Sequence, residues 1–353
     1  MKVIKQSAQL LDRTGLTEYQ GVELIGRTCY KSENLMTDES ATKFVTSLTK
    51  SGHHAMLEFG LIYMRITDIN FWEWFVVNKS PFIRNMNEYV VGSFRAFYDW
   101  FAGLLKPIDD GGWTFSNDDP IEETLDLLDC ISRQYPEIFS EMAKKVFDEY
   151  GGDWYDEDFN AEDVTFPFDL MDRDYFYASI PEVYKTNGLV KCITPHIVKF
   201  TTDRGISHEL VRHRPCSFAQ ESTRYCNYSK DKFGKEITVI APLFEEGSMK
   251  YEVWEEDMKH AEKSYFYLLE MGATPQEARG VLPTELKTDI WVCAFEDEWQ
   301  HIINLREIGT TGAPHPKIRE LISLVSPALV EASEHRLVNE LPTYEAKKEE
   351  NDG

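Results

Sequence analysis

The sequence predicts a chain of mixed helix and strand with a large, acidic, helical insertion over 71–185. Apolar residues at helical spacing alternate with β-rich runs along the chain. Thr, Asp and Pro stand ahead of the helical stretches, and glycine closes two of them. The middle of the chain crowds Asp and Glu around two breaks, Gly111-Gly112 and Gly151-Gly152.

The first residues read as a strand and are followed by a short helix near 18–29. Asp38 and Glu39, after Thr37, suit a helix N-terminus, where carboxylates complement open N–H groups and the helix dipole. Ala41, Phe44, Val45 and Leu48 then recur at helical spacing, and Gly52 is placed to end that helix in the left-handed conformation. A strand is expected over 61–66. In the insertion, Ile121, Leu125, Leu128 and Ile131 mark a helix with Asp119 as its cap and Pro120 in its first turn. The acidic run over 153–158 reads as a solvated face. A further strand is expected over 191–201. Asp203 then starts a short helix that runs to Arg214 and stops before Pro215. A long helix over 251–271 ends at Gly272, and Thr274-Pro275 caps the next. Helices are also expected over 287–304 and 316–335. The charged tail of about ten residues is expected to be disordered.

At 353 residues the chain fits one domain over 1–353 with 71–185 as an insertion within it. Its 42% hydrophobic and 13% aromatic content supports a core. The formal net charge of −24 argues against a nucleic-acid partner, because neutralising phosphates takes Lys and Arg. No apolar run approaches the roughly 18 residues that span a membrane, and the first residues lack the apolar stretch of a secretory signal. The expectation is a cytoplasmic protein with no membrane partner. The 6 cysteines include no Cys-x-x-Cys pair, which fits reduced thiols rather than a disulfide framework or structural zinc.

An anionic small substrate remains compatible with this charge, provided the few arginines are concentrated at its site. The densest polar cluster in the chain does concentrate them: Arg212-His213-Arg214-Pro215-Cys216-Ser217-Phe218-Ala219-Gln220-Glu221-Ser222-Thr223-Arg224-Tyr225. A guanidinium presents a planar fork of donors suited to phosphate, carboxylate or an imide edge. A surface arginine cluster pairing with the acidic face is the alternative reading of the same residues.

This segment resembles the hallmark of the flavin-dependent thymidylate synthases, an Arg-His-Arg, a spaced Ser, then Ser-x-Arg-Tyr. Here these are Arg212-His213-Arg214, Ser217 and Ser222-Thr223-Arg224-Tyr225. Upstream, Gly52-His53-His54-Ala55-Met56-Leu57-Glu58 is similar to the family's Gly-His-x-x-x-x-Glu. Downstream, Ala278-Arg279-Gly280-Val281-Leu282-Pro283 is similar to its Ala-Arg-x-x-Leu-Pro, and the run from His301 to Leu305-Arg306 to its helix ending in Leu-Arg. The resemblance covers 20–66 and 190–330. The chain departs from the family at Ala219-Gln220, where many members have Asn-Glu, at Glu209, where many have Gln, and at Phe295 and Asp297, where Asn and Arg are common.

The resemblance implies an α+β fold, a twisted antiparallel sheet flanked by helices, in a homotetramer whose sites are shared between subunits. It implies methylation of dUMP to dTMP, with methylenetetrahydrofolate as carbon donor and NADPH as reductant through FAD. Arg306 and Ser222 carry the catalytic expectation, Arg306 by favouring the N3-deprotonated pyrimidine. Substrate contacts fall on Glu209, Arg212, Gln220, Glu221, Ser222, Arg224, Arg279 and Arg306. Flavin contacts fall on His53, Glu58, Arg212, His213, Arg214, Gln220 and His301. No Gly-x-Gly-x-x-Gly occurs, so FAD is not expected on a Rossmann turn.

Pro215-Cys216 imitates the Pro-Cys of thymidylate synthases that attack dUMP through a thiolate, but a reactive thiolate needs exposure and a basic neighbourhood. Three rival readings stay open. They are a dUMP- or flavin-binding protein without synthase activity, a nucleic-acid-binding protein using the arginine cluster, and a metal hydrolase using His53, His54 and Glu58. The last lacks evident third and fourth ligands, so no metal is expected.

Overall fold

The computed structural model describes residues 1–80, 82–104, 121–150, 168–171, 193–230 and 233–339. In chain order the strands and helices are β1 (Lys2–Ile4), β2 (Ser7–Leu10), α1 (Glu18–Tyr30), α2 (Ser40–Lys50), β3 (Leu61–Ile66), α3 (Ile69–Asn78), β4 (Ile83–Met86), β5 (Tyr89–Ser93), α4 (Phe94–Leu104), α5 (Ile121–Gln134), α6 (Pro136–Tyr150) and β6 (Phe168–Met171). They continue with β7 (His196–Asp203), α7 (Arg204–Leu210), β8 (Ser217–Gln220), β9 (Thr238–Ile240), α8 (Met249–Glu270), α9 (Pro275–Ala278), β10 (Lys287–Ala294), α10 (Glu296–Ile303), α11 (Pro316–Ser323) and α12 (Ser326–Ala332). These elements group into two units. One comprises Met1–Asp12, Thr28–Lys31 and Pro195–Gly353; the other comprises Arg13–Arg27 and Ser32–Thr194.

The first unit is built on a four-stranded antiparallel sheet in the order β2-β7-β10-β8. β10 lies inside it, pairing Asp289 with Thr201 of β7 on one side and Ile290 with Gln220 of β8 on the other. One face of the sheet packs on the helices that follow β7 and β10, through Val198, Phe200, Ile290, Val292, Trp299, Ile302, Leu321 and Leu329. A short parallel pair, β1 with β9, carries a second cluster with α8 around Ile237, Val239, Trp254, Met258 and Tyr265.

The second unit holds another antiparallel sheet, β4-β5-β3-β6. α4 places Phe94, Phe97 and Phe101 on one face, and these join Ile83, Val90, Leu128, Ile131 and Phe139 in one core. The 71–185 stretch therefore carries strands β4, β5 and β6 as well as helices, where the sequence reading had it helical. Val90 and Val91 are both fully buried, so β5 shows no alternation that would announce a strand. The proposed cap Asp119-Pro120 and the acidic run over 153–158 lie outside the described residues, as does the charged tail.

Local signals with partners a few residues away appear as read. Gly52 has φ +70° and closes α2, with His53 N–H donating to Leu48 O at 3.0 Å. Asp203 caps α7 by accepting from Ile206 N–H at 2.7 Å. Thr274 and Glu277 form a full capping box with Pro275 in the first turn of α9. Boundaries moved where packing overrode pattern. α2 begins at Ser40, with Glu39 in the cap position but making no side-chain capping bond. α7 stops at Leu210, and 211–214 forms turns. The strand expected over 191–201 is His196–Asp203. The 316–335 stretch is two helices, with Pro327 in the first turn of the second.

The helix expected over 287–304 is the main correction. Lys287–Ala294 is the inner strand β10, and only Glu296–Ile303 is helical. From Thr288 to Ala294 every residue is buried, so apolar side chains fill both faces of the strand. A run of that kind has no period by which to separate strand from helix.

Two glycines of the second unit allow close approach of rings. A Cβ on Gly60 would lie 2.2 Å from a ring carbon of Phe94, and one on Gly92 would lie 2.8 Å from Phe97. Phe94 N–H also donates to Gly60 O at 2.9 Å, so the ring cannot withdraw without loss of that bond. Gly60→Ala is expected to destabilise the protein by about 1–3 kcal/mol. Urea denaturation followed by tryptophan fluorescence measures this, and a parental midpoint would show that the contact relaxes freely.

Candidate functional site

The polar cluster after Arg212 is placed by elements on either side of the first unit's sheet. Asp203 carries two duties at the start of α7. Its Oδ1 caps the helix, and its Oδ2 accepts from Lys317 Nζ at 2.8 Å. Both side chains are buried, so this ion pair fixes α7 against α11. α7 then turns through 211–214 into a cis Arg214–Pro215 bond and on to β8. The turn exposes Arg212 and Arg214 and buries His213 between them.

His213 and Arg306 are brought together across 93 residues of sequence. Arg306 Nε donates to His213 Nε2 at 3.0 Å, and its Nη1 donates to Glu209 Oε2 at 2.7 Å. A guanidinium has no acceptor, so Nε2 must be the unprotonated nitrogen and Nδ1 carries the hydrogen. Burial, the Arg306 charge and His301 together lower the His213 pKa to about 4. His213 is thus neutral at pH 7. The His301 ring lies 5.8 Å from it, centroid to centroid, nearly edge-on.

A widened helical turn makes this convergence possible. Asn304–Ile308 continues α10 as a π-helical turn, closed by Gly309 N–H donating to Asn304 O at 2.9 Å. Residues five apart on an α-helix point about 140° away from each other. The wider turn, closed by an i→i+5 bond, rotates the second back toward the face of the first, and both His301 and Arg306 reach His213. Gly309 sits at φ +81°, and a Cβ there would meet Gly312 O at 2.9 Å, so the closure requires glycine.

Ser222, Arg224 and Arg279 form a second cluster. Arg224 Nε donates to Gln276 Oε1 at 3.1 Å, and Arg279 Nη1 donates to Thr223 Oγ1 at 3.5 Å. The 222–225 turn and the α9 end are thereby tied together, with both guanidiniums exposed. Among the described residues, no carboxylate lies within ion-pair distance of Arg212, Arg214, Arg224 or Arg279. In a chain of net charge −24, cations left open in this way suit anionic ligands.

Gln220 and Glu221 turn inward. Gln220 Nε2 donates to Ser207 Oγ at 2.8 Å and Thr288 Oγ1 at 3.2 Å, which leaves its oxygen as the group for a ligand. Glu221 is 3% exposed and accepts from Lys287 Nζ at 3.0 Å, with Lys31 Nζ at 3.6 Å. Lys31 and Lys287 both reach Asp289 as well, and Thr201 Oγ1 donates to it at 2.7 Å. Burial opposes ionisation of Asp289, but the Lys287 and Lys31 ammoniums hold its carboxyl well below the usual carboxylate range. None of Lys31, Lys287 and Asp289 was expected from the sequence. Lys31 stands 258 residues from Asp289, and no local pattern links them.

His53 and Glu58 lie in the second unit, His53 just before the 3₁₀ turn His54–Phe59 and Glu58 within it. Glu58 Oε1 accepts from Arg95 Nη1 at 3.1 Å, and the His54 ring packs edge-on to Tyr98 at 4.6 Å. Among the described residues no group of three or more His, Cys, Asp or Glu is placed to hold a metal ion, and no helix is long and apolar enough to cross a membrane.

Comparison with known proteins bears on the same segment. Residues 195–331 match the family model described as Thymidylate synthase complementing protein. A flavin-dependent thymidylate synthase of Pyrococcus abyssi is 28% identical over 144 residues, 40% of this chain and 59% of that protein. One from Geobacter sulfurreducens is 33% identical over 103 residues, 29% of this chain and 43% of that protein. The chain thus spans about half the length of the curated relatives it matches. A crystal structure of a UMP/dUMP methylase, PolB from Streptomyces cacaoi bound with 5-Br dUMP, aligns over 40% of this chain and 69% of its own, at 19% identity and a TM-score of 0.33. An alignment that loose adds nothing on the fold.

Two outcomes test this geometry. Cys216 is buried, and burial, with Glu298 beside it, pushes its thiol up to about 12. Iodoacetamide at pH 8 should leave Cys216 unlabelled in the folded protein and label it in urea, as read by peptide mass spectrometry. Labelling in the folded state would restore Cys216 as a candidate nucleophile. Asp289→Asn should cost about 2–3 kcal/mol at pH 7, because it leaves the half-buried Lys31 and Lys287 ammoniums with Glu221 as their shared carboxylate. The depressed carboxyl stabilises the fold above the unfolded carboxylate value of about 3.9. That stabilisation is lost as pH falls through the lower folded value. The deficit of the variant measured by urea titration should therefore shrink below about pH 4.

Proposed function

We infer that this chain, whose residues 195–331 match the model described as Thymidylate synthase complementing protein and resemble flavin-dependent thymidylate synthases, methylates dUMP to dTMP. The carbon donor is methylenetetrahydrofolate, and NADPH is the reductant through FAD. The observation that carries this reading is the set of open guanidiniums, Arg212, Arg214, Arg224 and Arg279, in an acidic chain.

Arg224 and Arg279 hold the nucleotide phosphate, with Ser222 beside them. The tie between their two segments presents both forks without carboxylate competition. Arg212 and Arg214 fit the pyrophosphate of FAD for the same reason, with His301 as a further contact. His213 has spent Nε2 on Arg306, so Nδ1–H is what it offers a flavin. Gln220 offers its side-chain oxygen, and Glu221 acts by holding the loop. Reduced flavin, when bound, supplies the hydride that completes the methyl group.

Arg306 acts at the imide edge. Its cation favours loss of the N3 proton to solvent, and the resulting anion makes C5 nucleophilic. Glu209 and His213 fix the guanidinium plane and leave Nη2 for the substrate. Glu209 also tempers the charge that the pyrimidine feels. Exposed apolar side chains on α8 and just after it, Met249, Val253, Tyr267 and Met271, support assembly into a homotetramer with shared sites. The chain works in the cytoplasm on this reading.

The purified protein should be yellow and release FAD on denaturation. Arg306→Ala should keep FAD bound yet slow anaerobic reoxidation of reduced flavin by dUMP and methylenetetrahydrofolate by at least about tenfold, the worth of one charge-assisted hydrogen bond. Arg306→Lys keeps charge without the fork and should fall between. Reoxidation of the Ala variant at the parental rate would remove Arg306 from this role. Failure to bind flavin from excess FAD would remove the whole reading.

A further inference from the structure

We propose that Lys31 is a positioning residue for the substrate loop Glu221–Tyr225. The proposal rests on the reading above that Ser222 and Arg224 meet a nucleotide. Three contacts of different kinds join Thr28–Lys31 to that loop. Ser222 N–H donates to Cys29 O at 3.0 Å. The rings of Tyr30 and Tyr225 lie 5.5 Å apart at 57°. Lys31 Nζ lies 3.6 Å from Glu221 Oε2 and donates to Asp289.

Glu221 is therefore held at every point just before Ser222. Its N–H donates to Asp289 O at 2.8 Å, and its carbonyl accepts from Arg204 Nη2 at 2.9 Å. Its carboxylate lies between Lys31 and Lys287. Other groups facing this pair of carboxylates include Lys199, 3.9 Å from Asp289, the Thr201 hydroxyl, the Asp289 N–H, 3.4 Å from Glu221 Oε2, and the Tyr228 phenol, which feels the Glu221 charge. Removing one ammonium leaves two buried carboxylates with less charge than they need, and Glu221 is the one on the loop.

The backbone supplies independent support. Lys31 sits at φ +49°, just past the end of α1. Glycine adopts that left-handed conformation freely and lysine does so at a cost. A lysine retained there is explained by what its side chain reaches. Burial would discharge the ammonium, but Glu221 and Asp289 hold its pKa above the ordinary lysine value.

The test compares Lys31→Met, Lys31→Arg and Glu221→Gln in the full chain. Amide hydrogen exchange of the peptide covering 221–226 is read by mass spectrometry, and dUMP binding by calorimetry. Lys31→Met should raise loop exchange and weaken dUMP binding, each by about tenfold or more, with exchange across α8 unchanged. Lys31→Arg should restore most of both. Glu221→Gln, which discharges the other end of the contact, should show the same loop signature and keeps the test usable if Lys31→Met does not fold. Parental loop exchange in either charge-removing variant overturns the proposal. So does a uniform rise that includes α8, which would mark a general structural role. Lost dUMP affinity with parental loop exchange would make Lys31 a ligand contact and overturn it too. If the parent protein binds no dUMP while loop exchange still rises selectively in the variants, the positioning role stands and the nucleotide reading fails.

Discussion

An ionised carboxylate on an inner strand of a sheet must be met by cations, and Asp289 imposes that demand on the first unit. Lys287 answers from the same strand, Lys31 from the end of α1 and Lys199 from β7. The polypeptide has to return to this spot from both ends of the sequence. Where it returns, it also fixes Glu221, and behind Glu221 stand Ser222 and Arg224. The polar network thus decides where the mouth of the candidate site lies. Charge pairs of this kind cost desolvation that apolar packing would avoid, so geometry rather than stability is the better account of their presence.

The second consequence is a division between closed and open cations. Lys31, Lys287, Lys317 and Arg306 are paired with carboxylates. Arg212, Arg214, Arg224 and Arg279 are exposed. The paired set builds the frame and the open set faces outward from it. Arg306 bridges the two roles, since Glu209 and His213 orient a guanidinium that still has donors to offer.

What the sequence made legible was local. Gly52, Asp203 and the Thr274-Pro275 cap could be read because each acts on backbone within a few residues of itself. The arginine cluster could be read because it is contiguous. β10 could not, since burial on both faces erases the periodicity that separates strand from helix. Nor could the Lys31–Asp289 contact or the Arg306–His213 contact, whose partners meet only through the fold. Glu221 shows both sides: its place beside Ser222 was visible, but not that its carboxylate points into a lysine network.

The π-helical turn Asn304–Ile308 is an α-helical turn that has gained one residue. Gains of this type are reversible by a single codon. Deleting Leu305 would let the helix that begins at Glu296 run on with ordinary hydrogen bonds, a locally better-formed segment. It would also leave Arg306 four residues after His301, a spacing that keeps both on one face of an ordinary helix. A reading-frame-preserving loss here would therefore remove the wide turn before Gly309 and still leave the cation on the His301 face of the helix.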